Sequence, residues 1–259
     1  MEIPRLKLNA LELLLLAIPI AFLSYVLGGH RTELRLHPFL SAGSADVQAL
    51  AERYGPTRHS EYSEEWIIRD FFQDRRDGTF VDVGANHYRD KSNTYYLETE
   101  LGWSGLAIEP QVKFAADYGK HRSRTKFVPL FVSDVSNREA TLFVPANDLM
   151  ASSDRAFASE GGDITPVQIQ TTTLDDVLER SGLAHIDFLT LDIELAEPAA
   201  LAGFSIERFH PQLACVEAHA EVRQQILDYF ARHGYVMVGK YWLADTENLW
   251  FAPLDRAAQ

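Results

Sequence analysis

Short apolar runs separated by amphipathic stretches dominate the chain from residue 79 onward. The runs 79–83, 105–108, 127–132, 186–191 and 213–216 are apolar at successive positions, the pattern of strands covered on both faces in a parallel sheet. Helical spacing fills most of the gaps, at 94–100, 112–120, 198–202 and 222–233. Strands at 235–238 and 248–251 have no helix-length segment between them, so they are expected to pair as an antiparallel hairpin. Between the third and fourth runs lies an extra pair, 140–144 and 167–171, around a polar loop (145–166) that contains Met150-Ala151-Ser152-Ser153. A loop of that length suits a lid. Upstream, a helix is expected at 46–54, stopped by Gly55-Pro56. A second is expected at 63–72, with Ser63 as N-cap and Trp66, Ile67 and Phe71 on its apolar side.

The amino terminus differs in kind. Between Leu8 and Leu27 the only charged residue is Glu12, and twenty helical residues rise about 30 Å, the thickness of a bilayer core. A retained transmembrane anchor is favoured over a buried globular helix or a cleaved signal peptide. Glu12 lies near one end of the stretch, and Gly28-Gly29-His30 makes a poor cleavage site. The expected organisation is an anchor over residues 1–29, a linker over 30–60 and one catalytic domain over 61–255. Composition changes little: 46% hydrophobic and 24% charged residues describe an ordinary folded chain of 259 residues. A net charge of −13 argues against nucleic acid as a partner. The single cysteine, Cys215, allows no intrachain disulfide.

Thr79-Phe80-Val81-Asp82-Val83-Gly84-Ala85-Asn86 reads as a buried strand running into a tight turn at the carboxyl end of a central strand, where open sheets bind ligands. Asp82 there can accept from a cationic amino group, and a glycine lets the backbone come close to a ligand. The second strand ends in Glu109-Pro110, near the spacing of an acid that binds ribose hydroxyls. The third ends in Val132-Ser133-Asp134, polar enough to meet an adenine edge. A dinucleotide turn needs further glycines where this chain has His87 and Tyr88, so a phosphate-free cofactor fits better.

With these motifs the sequence resembles the FkbM-type methyltransferase family. The likeness is carried by Phe80-Val81-Asp82-Val83-Gly84-Ala85-Asn86, Ser92-Asn93-Thr94, Leu97-Glu98 and Leu101-Gly102-Trp103-Ser104-Gly105-Leu106. It continues through Ile108-Glu109-Pro110, Val132-Ser133-Asp134, Thr173-Leu174-Asp175-Asp176-Val177-Leu178 and the stretch from Ile186 to Glu194. The resemblance implies a Rossmann-like α/β fold: a seven-stranded, mostly parallel sheet with helices on both faces and a terminal antiparallel hairpin, here preceded by one transmembrane helix. It also implies S-adenosylmethionine as donor and, usually, O-methylation. Asp82, Gly84, Ala85, Asn86 and Glu109 would hold the donor, with Ser133 and Asp134 near the adenine. One departure stands out: Leu195 occupies a position where the family has glycine, and a positive φ there would strain leucine by about 1 kcal/mol or more.

The acceptor chemistry falls on two strand ends, Asp192-Ile193-Glu194 and Glu217-Ala218-His219, whose alternate residues can converge on one cleft. Three readings stay open. One of these groups is a general base, with His219 favoured because imidazole exchanges protons near neutral pH. Alternatively Asp192, Glu217 and His219 bind a divalent cation, magnesium or manganese. Or all of them, Glu194 and Glu197 included, only orient backbone and water. The expected function is O-methylation of a hydroxyl on a glycan, lipid-linked sugar or secondary metabolite. The expected setting is a single-pass membrane protein with its catalytic domain in the cytosol. The alternative is a catalytically silent, anchored binding protein that keeps the fold.

Overall fold

The computed structural model describes residues 45–254. Two helices lead, α1 (Val47–Tyr54) and α2 (Glu64–Phe72). The Asp46 carboxylate caps α1 by accepting from the Ala49 N–H, and Gly55 closes it at φ 90°. Ser63, expected to cap α2, makes no such bond; the Ser60 hydroxyl accepts from Glu65 N–H instead, at 3.1 Å. Ala45 and Leu50 join Trp66, Ile67, Ile68 and Phe72 in one apolar cluster, so this stretch of the expected linker is packed against the sheet.

Strands and helices then alternate. The first half comprises β1 (Thr79–Val83), α3 (Tyr95–Thr99), β2 (Ser104–Ile108), α4 (Ala115–His121) and β3 (Thr125–Val128). An inserted unit follows, with β4 (Phe131–Val132), β5 (Glu139–Val144), α5 (Arg155–Glu160) and β6 (Thr165–Thr172). The second half comprises α6 (Leu174–Ser181), β7 (Phe188–Leu191), α7 (Glu197–Ala202), α8 (Ile206–Phe209) and β8 (Leu213–Glu217). It closes with α9 (Arg223–Arg232), β9 (Tyr235–Met237) and β10 (Asn248–Pro253).

Seven strands form the main sheet in the order β3-β2-β1-β7-β8-β10-β9. All neighbours from β3 to β8 run parallel, and β10 is antiparallel to both β8 and β9. Alternating side chains feed two cores. Val81, Val83, Leu189, Leu191 and Val216 pack with α6 to α9 on one face, while Phe80, Phe188, Leu213 and Cys215 pack with α2 on the other. Strand order reverses between β1 and β7, which opens a crevice at their carboxyl ends.

The expected third strand, 127–132, is broken. Pro129 has no N–H to donate, β3 stops at Val128, and Phe131–Val132 pairs with β6 in a separate three-stranded sheet of order β4-β6-β5. Helix α6 was not among the expected elements. Thr173 caps it by accepting from Asp176 N–H, and Gly182 ends it at φ 70°.

The expectation of a transmembrane helix in the fold, and of a membrane localisation, is corrected: no helix among the described residues is long and apolar enough to cross a membrane. The apolar stretch Leu8–Leu27 that prompted it lies outside the described residues. The fold is a Rossmann-like α/β sheet with its terminal antiparallel strands.

Candidate active site

The crevice holds a cavity of about 280 Å³, just under the usual range of roughly 300–1,000 Å³ for small-molecule sites. Its first wall is the tip of β1. Gly84 has φ 86°, and a Cβ there would fall 1.7 Å from the Asp192 carbonyl oxygen. The glycine therefore makes room for the backbone that follows β7, rather than for a ligand. Asp82, just before it, is buried, and Thr94 donates its hydroxyl to Asp82 Oδ2 at 2.7 Å. Burial raises the Asp82 carboxyl to about 6, against the pull of the Thr94 bond and the Arg122 charge.

Glu109 closes the second strand. Its two oxygens accept one backbone N–H each, from Gln111 at 2.8 Å and Asn86 at 3.2 Å. Burial raises its pKa, and those two bonds oppose the rise. Each carboxylate oxygen keeps room for a further donor. Asn86 sits in the left-handed region at φ 42°, which aims its N–H at Glu109.

The opposite wall is built from β7 and β8. Asp192 and Glu194 follow β7, Glu217 ends β8, and all three line the cavity. His219 stands behind them, its Nε2 3.3 Å from Glu194 Oε2 and 3.2 Å from Glu217 Oε1. Removal from water raises the pKa of all three acids, and their mutual repulsion adds to it for Glu194 and Glu217. Burial and the neighbouring Asp192, Glu194 and Glu197 carboxyls push Glu217 up to about 11, so it holds a proton at neutral pH. Glu197 lies beneath, fully buried. Its Oε1 accepts from Ile193 N–H while Oε2 has no partner among the described residues, and burial pushes it up to about 7.

The inserted unit covers this wall. Ser152 donates to the Glu194 carbonyl at 2.6 Å, Gln111 donates to the Asp148 carbonyl at 3.2 Å, and the Phe157 ring lies 5.0 Å from the His219 ring. Residues 147–151 thereby line the cavity between the two walls. Charge around the cavity is one-sided. Glu61, Glu64, Asp82, Glu109, Asp148, Asp192, Glu194, Glu217 and Glu247 line it, against Lys91 alone, and Lys91 is held by Glu61 at 2.7 Å.

A model of the methyltransferase FkbM domain matches residues 82–237, more than half of the chain. The chain belongs to the FkbM methyltransferase domain family. No curated protein matches it. Among solved structures it is similar to precorrin-6y C5,15-methyltransferase from Geobacter metallireducens, at 8% identity and a TM-score of 0.40, over 72% of this chain and 84% of that one. It is also similar to 1,6-didemethyltoxoflavin-N1-methyltransferase from Burkholderia thailandensis, at 12% identity and a TM-score of 0.37, over 96% and 91%. Likenesses this distant say nothing of what the chain binds.

The FkbM match spans every candidate residue read from the sequence. Asp82, Gly84, Ala85, Asn86 and Glu109 meet on one side of the cavity, and Asp192, Glu194 and Glu217 on the other. Ser133 and Asp134 do not line it. Ser133 N–H is drawn into the small sheet by the Thr172 carbonyl at 2.8 Å, and Leu130, Phe131 and Val132 face the cavity in their place. The His87 and Tyr88 rings meet tilted beside the turn, outside the lining. Among the described residues one trio could hold a cation: Glu194, Glu217 and His219, with ligand atoms within 4.8 Å of one another. Asp192, expected in that set, is not part of it.

Glu61, Glu64, Lys91, Gln111 and Glu247 also line the cavity, and no sequence motif points to them. Glu64 opens helix α2, and the local patterns of the other four are those of solvated loop residues. Leu195 does carry the anticipated strain. It has φ 76°, directly after Glu194 at φ 55°.

Proposed function

We propose that this FkbM domain transfers a methyl group from S-adenosylmethionine to a hydroxyl of an uncharged, hydroxyl-bearing acceptor such as a sugar or a secondary metabolite. One observation carries the reading. Asp82 and Glu109, at the tips of adjacent strands, open onto a single cavity whose only basic lining side chain among the described residues is already paired. An acidic crevice of this kind repels a pyrophosphate and favours a ligand bearing positive charge. S-adenosylmethionine supplies the methyl group from a sulfonium centre when bound. The residues present suit it: Asp82 keeps Oδ1 for an ammonium, and Glu109 has acceptor capacity for ribose hydroxyls.

The chain's own groups would divide the remaining work. Glu194, on the cavity wall with His219 Nε2 3.3 Å from it, takes the acceptor's proton in its ionised form and becomes a neutral carboxylic acid, and burial and the neighbouring acids raise its pKa to about 8, which favours that uptake. Glu217, kept protonated by burial and by the acids around it, relieves repulsion at the same end. Residues 147–151 exclude water from above. The same lining argues against phosphorylated or carboxylated acceptors, which would meet no free cation among the described residues.

Titration of the protein with S-adenosylmethionine tests the donor half. Saturable binding is expected, with Asp82→Ala weakening it about tenfold or more, as for a lost charged hydrogen bond. Absence of binding at millimolar donor contradicts it. A second reading, a catalytically silent binding protein, is favoured by one observation: the unrelieved strain at Leu195 next to the proposed base. Donor affinity without turnover across a panel of hydroxyl acceptors would support that reading instead.

A further inference from the structure

We propose that Thr94 and Arg122 are positioning residues of the donor site: anchored on Glu98, they fix the rotation of the Asp82 carboxylate so that one of its oxygens faces the ligand. This inference rests on Asp82 being a donor-binding group.

Thr94 occupies the N-cap position of α3 yet makes no side-chain cap bond to that helix. Its hydroxyl instead donates to Asp82 Oδ2 at 2.7 Å, across the start of the crevice. A threonine hydroxyl has one proton, so this bond fixes its orientation and leaves its lone pairs to accept. Arg122 supplies the donor, with Nη2 3.1 Å from Thr94 Oγ1. The chain Arg122 to Thr94 to Asp82 therefore runs in one direction, each link polarising the next. Asp82 Oδ1 has no hydrogen-bond partner among the described residues and is the oxygen left for the cavity.

The anchor is built to be rigid. Arg122 is 1% exposed and Thr94 is fully buried. Arg122 Nε pairs with Glu98 Oε2 at 2.6 Å, and its other nitrogens reach the Tyr88 carbonyl at 2.8 Å, the Thr94 carbonyl at 3.2 Å and Thr125 Oγ1 at 3.2 Å. The planar guanidinium thus ties the segment after the Gly84 turn to the end of α4 and the first residue of β3, a task a lysine ammonium cannot copy. A structural role alone would need the carbonyl bonds but not the hydroxyl relay to Asp82.

The relay also bears on ionisation. The charged and titratable groups facing Asp82 are Arg122, Asp192 and Tyr118. Burial raises the Asp82 carboxyl, and the Thr94 hydroxyl and Arg122 oppose it. Without the hydroxyl, Asp82 would need a higher pH to carry the charge that an ammonium seeks.

The test compares S-adenosylmethionine affinity of the full-length wild type, Thr94→Val and Thr94→Ser by calorimetry at about pH 7 and about pH 8.5, with thermal melts alongside. Thr94→Val, nearly isosteric, is expected to weaken binding about tenfold or more at the lower pH and to recover part of the loss at the higher one. Thr94→Ser restores the hydroxyl and should stay within about threefold of the wild type. If Thr94→Val does not fold, Thr94→Ala carries the same expectation. A Thr94→Val protein that binds within about twofold of a donor-binding wild type overturns this inference and leaves the donor site standing. A wild type that fails to bind donor overturns the underlying reading, and this inference with it.

Discussion

The two ends of the cavity are built on different principles. At the donor end, the carboxylates of Asp82 and Glu109 each have assigned hydrogen-bond donors, and buried Arg122 braces the turn behind them. At the acceptor end, Asp192, Glu194 and Glu217 crowd together, Glu217 Oε2 and Glu197 Oε2 have no partners among the described residues, and two successive residues sit at positive φ. Under the proposed function, the first arrangement would hold a fixed shape for the donor. The second would store repulsion and strain where the proposed transfer moves a proton, as functional sites commonly do.

The contrast can be broken most forcefully at the donor end. Arg122→Met would break the buried ion pair of Glu98 and leave that carboxylate only the Arg124 N–H and the Thr125 hydroxyl as donors, which costs about 3–5 kcal/mol for a broken buried pair. At about 2–4 °C per kcal/mol for a chain of this size, the melting temperature should fall by roughly 10 °C. A drop of only a degree or two would show that the donor end is not braced as described.

Gly84→Ala comes next. Its Cβ would overlap the Asp192 carbonyl and add the cost of a positive φ, so about 2–3 kcal/mol of stability should go. Denaturant midpoints measure it. The same variant should disturb both ends at once, because that contact joins them.

The acceptor end predicts a pH effect of definite sign. Glu197 is raised by burial, so the folded protein holds a proton that the unfolded chain releases above about pH 4.5. Its contribution is whole below that pH and is lost as pH climbs to about 7. Stability of the wild type should therefore decline from about pH 5 to about pH 8, and Glu197→Gln should flatten the decline by about 2–3 kcal/mol. Melting curves across that range decide it, and identical slopes in both proteins would contradict it.

The smallest effect is expected at Leu195. Leu195→Gly relieves about 1 kcal/mol of left-handed strain while giving up the contacts of a partly buried side chain, so the net change should stay within about 1 kcal/mol. A denaturant melt that shows a much larger loss would mean that packing, not strain, governs this turn.

The same contrast explains what could be read from the residues alone. The donor end is local: Asp82, Gly84 and Asn86 share one strand and turn, and Glu109 follows one crossover later, so spacing exposes them. Arg122 was not legible, because the run His121-Arg122-Ser123-Arg124 looks like a solvated helix end until Glu98 and Thr94 are brought to it. The adenine-side residues went astray for a local reason. Pro129 broke the strand that was read through it, turning Ser133 toward the small sheet. Helix α6 carried a legible signal in Thr173, Asp176 and Gly182, which the β-rich surroundings obscured. The acceptor end is non-local. Glu61, Glu64 and Glu247 reach it from the two chain ends, and no spacing rule links them.

In the proposed donor site Glu109 and Asp82 hold opposite ends of one adenosine-bearing molecule. A crystal structure of the protein with S-adenosylhomocysteine would show it: the ribose hydroxyls are expected on Glu109 and the amino group on the free oxygen of Asp82, with the sulfur facing Glu194. A nucleoside seated elsewhere, or one whose ribose leaves Glu109 bonded only to its own backbone, would contradict it.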